Sequence, residues 1–173
     1  MSTYASALAC PKCVKNFSKN NATNNCENAK SMGYIISKDA KNISSDWKCN
    51  SCSFIISSDR VATLSLKVKQ ESDLVNDQCW SHYNNNGGTP QGDSSIKRHE
   101  DFLKKHENVT LHPNHVFLID KKYTLSKMYG RMAGYEADVL TDEQLKRKRR
   151  LCEEVLLVFK KIMPGRTRKV GRY

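Results

Sequence analysis

The chain has 173 residues, 38% of them hydrophobic, with a net charge of +11 and a mean hydropathy of −0.67. That composition leaves a modest core divided among smaller units. It excludes a membrane-spanning helix, because the longest apolar runs, Val116-Phe117-Leu118-Ile119 and Val155-Leu156-Leu157-Val158-Phe159, fall far short of the ~20 residues a bilayer demands. The seven cysteines are an odd number, and Met1-Ser2-Thr3-Tyr4 leads into the first cysteine pair without an apolar signal segment. Both features point to a reducing, intracellular setting, cytoplasmic or nuclear. In that setting the acceptor-like triplets at Asn21, Asn42 and Asn108 are chance matches.

Cys10-Pro-Lys-Cys13 opens the chain, and Cys49-Asn-Ser-Cys52 repeats the spacing further on. Each Cys-x-x-Cys hook presents two thiolates to one side of a tight turn, and two hooks supply the four sulfurs of a closed tetrahedral Zn²⁺ site. With no position left for water, the metal's expected role is structural. A pair of disulfides and a redox Cys-x-x-Cys are the competing readings. The redox motif normally occurs once, beside a βαβ pattern that this chain lacks. Cys26, between the hooks, has no partner at hook spacing and reads as a bystander.

Around the hooks, Gly33-Tyr34-Ile35-Ile36 and Phe54-Ile55-Ile56 read as short strands, giving a zinc-ribbon-like module with an asparagine-rich insertion from Asn16 to Asn28. A module this small needs a staple, and a metal site provides one. The periodicity then turns helical. Val61, Leu64, Val68 and Val75 mark a helix of about twenty residues capped by Ser58 or Asp59. The run Asn84 to Gly92, with no apolar residue and two strong breakers, predicts a linker or inserted loop. Ile96, Phe102 and Leu103 carry the next helix to Asn108, and a third is expected from Leu111-His112-Pro113-Asn114-His115 through Leu118, Leu125 and Met128 to Gly130. His112 and His115, like Cys79 and His82, lack a further ligand pair and read as buried or capping residues.

Thr141-Asp-Glu-Gln144 is a capping box, with Leu140 and Leu145 at the positions of a hydrophobic staple. From there Leu145, Cys152, Leu156, Phe159 and Met163 are expected on one apolar face, until Pro164-Gly165 stops the helix. Cys152 on that face is a core residue rather than a nucleophile. The same helix carries Lys146-Arg147-Lys148-Arg149-Arg150, a candidate basic surface. Five successive residues wind around more than a full turn, so Lys148 must snorkel over the apolar seam or touch a partner. The division that follows is a zinc-binding module at 1–57, a connecting helix at 58–83, a linker or insertion at 84–95 and a helical region at 96–173. The fold class is mainly α with a small β knuckle.

Several phrases, in order, resemble the part of SET-and-MYND (SMYD) lysine methyltransferases that follows the SET domain, above all in arthropod members. They are Ser2 to Cys10, Gly33-Tyr34, Ser45-Asp46-Trp47-Lys48-Cys49-Asn-Ser-Cys52, Leu111 to His115, Met128-Tyr129-Gly130-Arg131, Gly134-Tyr135 and Pro164-Gly165-x-x-Arg168-x-x-Gly171. The resemblance spans nearly the whole chain and implies a post-SET zinc module followed by part of a TPR-like helical lobe. The stretch Val14 to Met32 is longer than the family's usual connection, and the run near residue 86 is a second insertion. For a full-length member it implies methyl transfer from S-adenosylmethionine to lysine. No MYND cluster, Gly-x-Gly cofactor loop or Asn-His-Ser-Cys motif of the SET core occurs in these 173 residues. The implied reading is a partial member, inactive alone, whose partner is the remainder of a SET-type enzyme or a substrate protein. The alternative is a small basic zinc-ribbon protein that binds nucleic acid. On the first reading, only weak, non-specific nucleic-acid binding is expected, and no membrane contact.

Overall fold

The computed structural model describes residues 7–15, 33–39, 42, 44–85 and 92–162. Four short strands, β1 (Leu8–Ala9), β2 (Tyr34–Ser37), β3 (Trp47–Cys49) and β4 (Ile55–Ile56), are followed by the long helices α1 (Ser58–Asn85), α2 (Gly92–His106), α3 (Val116–Met128) and α4 (Asp142–Ile162). The protein is mainly helical, with a short β module. The asparagine-rich insertion, Cys26, the tip of the expected linker at 86–91 and Met163 onward lie outside the described residues. Among the described residues no helix is long and apolar enough to cross a membrane.

The chain forms two compact units. One comprises Thr3–Gln70 and Lys105–Val116, the other Glu71–Lys104 and Phe117–Tyr173 together with the first two residues. The first unit thus takes back a segment that the sequence division assigns to the helical region.

In the first unit the strands form an antiparallel sheet in the order β1-β2-β3-β4. Register places Leu8 opposite Ile35, Ile35 opposite Cys49, and Trp47 opposite Ile56. Because side chains alternate along a strand, these residues share one face. It is the buried face, with Leu8, Ile35, Cys49 and Ile56 all in the core, while Lys48 and Ile55 on the opposite face are exposed. The expected strands at β2 and β4 are present. β1 and β3 were not foreseen, since two or three residues are too few to show an alternation.

β1 is held on its other side by the returning segment. The Ala9 amide donates to the Thr110 carbonyl at 2.9 Å, and the His112 amide donates to the Ala7 carbonyl at 3.0 Å. Leu111, fully buried, bridges Leu8. Asn108, at φ 58°, makes the left-handed turn that points this segment back, a conformation asparagine tolerates better than most residues.

The third helix begins at Val116 rather than Leu111. The residue before a proline is driven from the helical region, and Pro113 imposes this on His112. Residues 111–115 instead form a turn in which the Asn114 amide donates to His112 Nδ1 at 2.9 Å and the His115 amide to the His112 carbonyl at 2.8 Å. The first helix, α1, is 28 residues long rather than about twenty, and both it and α2 reach into the expected linker. Polar residues such as Asn84 and Asn85 prefer other conformations only weakly, and a helix already underway extends at low cost.

The second unit buries Ile96, Phe102 and Leu103 of α2, Leu118, Ile119 and Leu125 of α3, and Leu151, Val155 and Val158 of α4. The α4 stripe is therefore turned from the expected one. Leu145 is 45% exposed, and Cys152, Leu156 and Phe159 are half-buried at the margin. Two helix faces of comparable apolarity adjoin on α4, and periodicity alone does not rank them. The capping box forms as expected: Gln144 N–H reaches Thr141 Oγ1 at 3.3 Å, and the Thr141 amide donates to Gln144 Oε1 at 2.9 Å.

Candidate metal centre

Pro11 fixes the start of a helical turn over residues 11–15, where its missing N–H costs nothing. The Val14 amide closes that turn on the Cys10 carbonyl at 2.9 Å, which swings Cys13 to the side of Cys10. The second hook leaves β3 in a tight turn closed by the Cys49 amide on the Phe54 carbonyl at 2.9 Å. Asn50 braces it from the side, accepting the Tyr34 amide on Oδ1 at 2.8 Å while its own amide donates to the Tyr34 carbonyl at 3.0 Å. The two hooks are thus fastened through β2, the strand that lies between them in the sheet.

The result is convergence. The Sγ atoms of Cys10, Cys13, Cys49 and Cys52 all lie within 4.8 Å of one another. Two pairs run across the hooks, Cys10 to Cys52 at 3.7 Å and Cys13 to Cys49 at 3.8 Å. These distances are far beyond a disulfide bond of about 2.05 Å, and all four thiols are free. Cys10 and Cys49 are buried and Cys13 and Cys52 partly so. Four sulfurs at these separations can hold one metal ion. Among the described residues, no other group of three or more histidine, cysteine or carboxylate side chains does so.

The electrostatics favour a cation. Burial pushes the Cys10 thiol up to about 12, and burial with the neighbouring thiols raises Cys13 as well. Burial opposes ionisation of Cys52 too, but the Phe54 amide and the surrounding thiols bring it below its ordinary value. Close thiols cannot all ionise without a positive charge between them. A bound divalent cation supplies that charge and is itself what deprotonates its thiol ligands.

Gly33 lies against the cluster. Its carbonyl accepts the Cys10 amide at 2.9 Å, and a Cβ built on it would stand 2.6 Å from Cys49 Sγ and 2.7 Å from Cys13 Sγ. The sequence marks this glycine as the start of a strand and as part of the Gly33-Tyr34 phrase, not as a neighbour of the metal centre. A glycine directly before the strand that joins two hooks is the signal that could have revealed its place.

The other candidate residues have different settings. His115 is buried, and His112 packs against Tyr34 with ring centroids 4.2 Å apart and planes tilted by 59°. Cys26 and the side chains of Cys79 and His82 are outside the described residues. The basic run is largely engaged within the protein. Arg147 donates to both carboxylate oxygens of Glu100, Lys148 donates to the Tyr129 carbonyl at 2.5 Å, and Arg149 and Arg150 pair with Glu153 and Glu154 one turn on. Lys148 thus meets an internal partner, as its position over the seam requires. Lys146, Arg149 and Arg150 are exposed.

No family model, curated protein or solved structure matches the chain.

Proposed function

We propose that Cys10, Cys13, Cys49 and Cys52 bind one structural Zn²⁺, and that the chain is a non-catalytic interaction segment of a SMYD-like lysine methyltransferase. The observation that carries the zinc assignment is the sulfur spacing. A tetrahedral Zn²⁺ with Zn–S bonds of about 2.3 Å has S···S edges of about 3.8 Å; the two pairs across the hooks stand at 3.7 and 3.8 Å, and all four sulfurs lie within 4.8 Å of one another. A soft, all-thiolate donor set selects zinc over the hard cations, which take oxygen ligands. Four protein ligands close the coordination sphere, so the ion's role is to hold the hooks and the sheet they anchor.

The family part of the proposal rests on the ordered phrases of the sequence. On this reading the chain serves as a rigid module beside a SET core or a substrate protein, and S-adenosylmethionine belongs to the full-length enzyme alone. Native mass spectrometry of the purified chain tests the metal: one zinc per chain is expected, and a mass without metal after zinc-replete expression refutes it. Calorimetry with S-adenosylmethionine tests the second part. No specific heat is expected, and a micromolar dissociation constant, about −8 kcal/mol, overturns it.

A further inference from the structure

The geometry points to Gly33 as a positioning residue of the metal centre: its missing side chain is the space that lets Cys13 and Cys49 turn their sulfurs toward one ion. This rests on the zinc reading and adds to it a residue that carries no ligand atom. Gly33 is buried, and its added Cβ would meet Cys49 Sγ at 2.6 Å, Cys13 Sγ at 2.7 Å and Ser51 Cβ at 3.0 Å. Separations of that order are not tolerated between carbon and sulfur, so something must move. Gly130 and Gly134 adopt positive φ, at 95° and 79°, but Gly33 does not. Its requirement is therefore for room, not for a backbone conformation closed to other residues.

What must move depends on the metal. A free thiol can rotate about its Cα–Cβ bond into another staggered well at little cost. A thiolate bound to zinc cannot rotate without leaving the tetrahedron. A methyl at position 33 therefore penalises the metal-bound state more than the metal-free one, in which only the 3.0 Å approach to Ser51 Cβ is left to relieve. Because the same residue accepts the Cys10 amide through its carbonyl, Gly33 sits between the hooks with its backbone fastening one and its empty side touching both.

The test compares wild type with Gly33→Ala, using Co²⁺ as the probe, since its visible bands report a tetrahedral thiolate site. Gly33→Ala is expected to bind Co²⁺ at least tenfold more weakly than wild type, with altered bands, while denaturation curves in chelator and reductant shift less than those in the presence of metal. Gly134→Ala is the control. Nothing lies within 4 Å of its added Cβ, though its φ is strained, so it should lower stability and leave Co²⁺ affinity unchanged. Should Gly33→Ala fold poorly, the same change placed in Cys49→Ser decides the matter, because with the site already broken it should cost less than it does in the wild-type background. Equal Co²⁺ affinity and bands in wild type and Gly33→Ala overturn the assignment, as does a loss in the Cys49→Ser background equal to that in wild type. Failure of wild type to bind Co²⁺ or Zn²⁺ at all instead refutes the zinc reading itself.

Discussion

Arg147 on α4 holds Glu100 on α2 with two hydrogen bonds, Nε to Oε1 at 2.8 Å and Nη2 to Oε2 at 2.6 Å. Both side chains are less than one-third exposed, so the pair is better shielded than a surface ion pair, and its fork geometry is the strong form of such contacts. Tyr129 adds its hydroxyl to the same carboxylate at 3.4 Å. Replacing Arg147 with alanine strands Glu100 in this half-buried site. A loss of about 1–3 kcal/mol is expected in urea denaturation, Arg147→Lys recovering only part of it. A cycle with Glu100→Gln checks that the energy belongs to the pair: strictly additive losses would deny the coupling.

The same commitment limits what the basic run offers to phosphates. With Arg147 and Lys148 turned to internal acceptors, Lys146, Arg149 and Arg150 remain exposed, the latter two in intrahelical pairs. Such pairs are worth only a few tenths of a kcal/mol and yield easily. We predict weak, sequence-blind binding to duplex DNA, with a log–log salt slope between about −2 and −3. Fluorescence anisotropy across a salt series measures it. Submicromolar binding at physiological salt with a sequence preference would favour the nucleic-acid alternative.

Cys49→Ser should remove the metal and lower the stability of the sheet-bearing unit by at least about 3 kcal/mol, since metal binding free energy becomes folding free energy. Cys26→Ser should retain one zinc and the wild-type melting curve. Zinc analysis and calorimetric melting of both variants provide the check, and equal damage from the two would remove the distinction between ligand and bystander.

His115 supplies a pH prediction. Burial, with His112 and His106 nearby, lowers its pKa from 6.5 to about 4. The folded state therefore keeps the ring neutral while the unfolded chain takes up a proton. The stabilisation is complete above pH 6.5 and is lost as pH falls toward 4, with a ceiling of about 3 kcal/mol. Heteronuclear NMR should find the His115 ring neutral at pH 5.5. A midpoint above 6 would contradict the burial argument.

Thr141→Ala removes the side-chain half of the α4 capping box and should cost about 1 kcal/mol. The loss should appear in the second unit without any change in zinc content. An effect on metal binding would contradict that assignment.

What the sequence disclosed, and what it withheld, follows from the range of each signal. The hooks are local and chemically specific, so Cys10, Cys13, Cys49 and Cys52 could be grouped from spacing, and their convergence in space matches that grouping. The capping box is equally local and forms at Thr141 and Gln144. β1 escapes notice because its partners at Ile35 and Leu111 lie far along the chain. The buried α4 stripe differs from the expected one because Leu151, Val155 and Val158 stand one step around the helix from Cys152, Leu156 and Phe159, and only tertiary packing chooses between them. Gly33 matters through an absence of atoms, which the hydrophobic pattern does not record and only its place before the strand joining the hooks hints at.

The backbone bond from Ala9 to Thr110 has a bearing on synthesis. A ribosome that has released residues 1–60 has supplied all four thiols of the metal centre, yet β1 still lacks the neighbour that closes its outer side. That neighbour arrives only after the whole of α1 and α2 has been made. Contacts between distant parts of a chain form late and slowly. Zinc bound early would hold the hooks together through this interval, and the returning strand would then lock onto an edge kept in place. On the zinc reading, the metal would come first and closure second, with the edge of β1 the place where an incomplete product is open to wrong pairing.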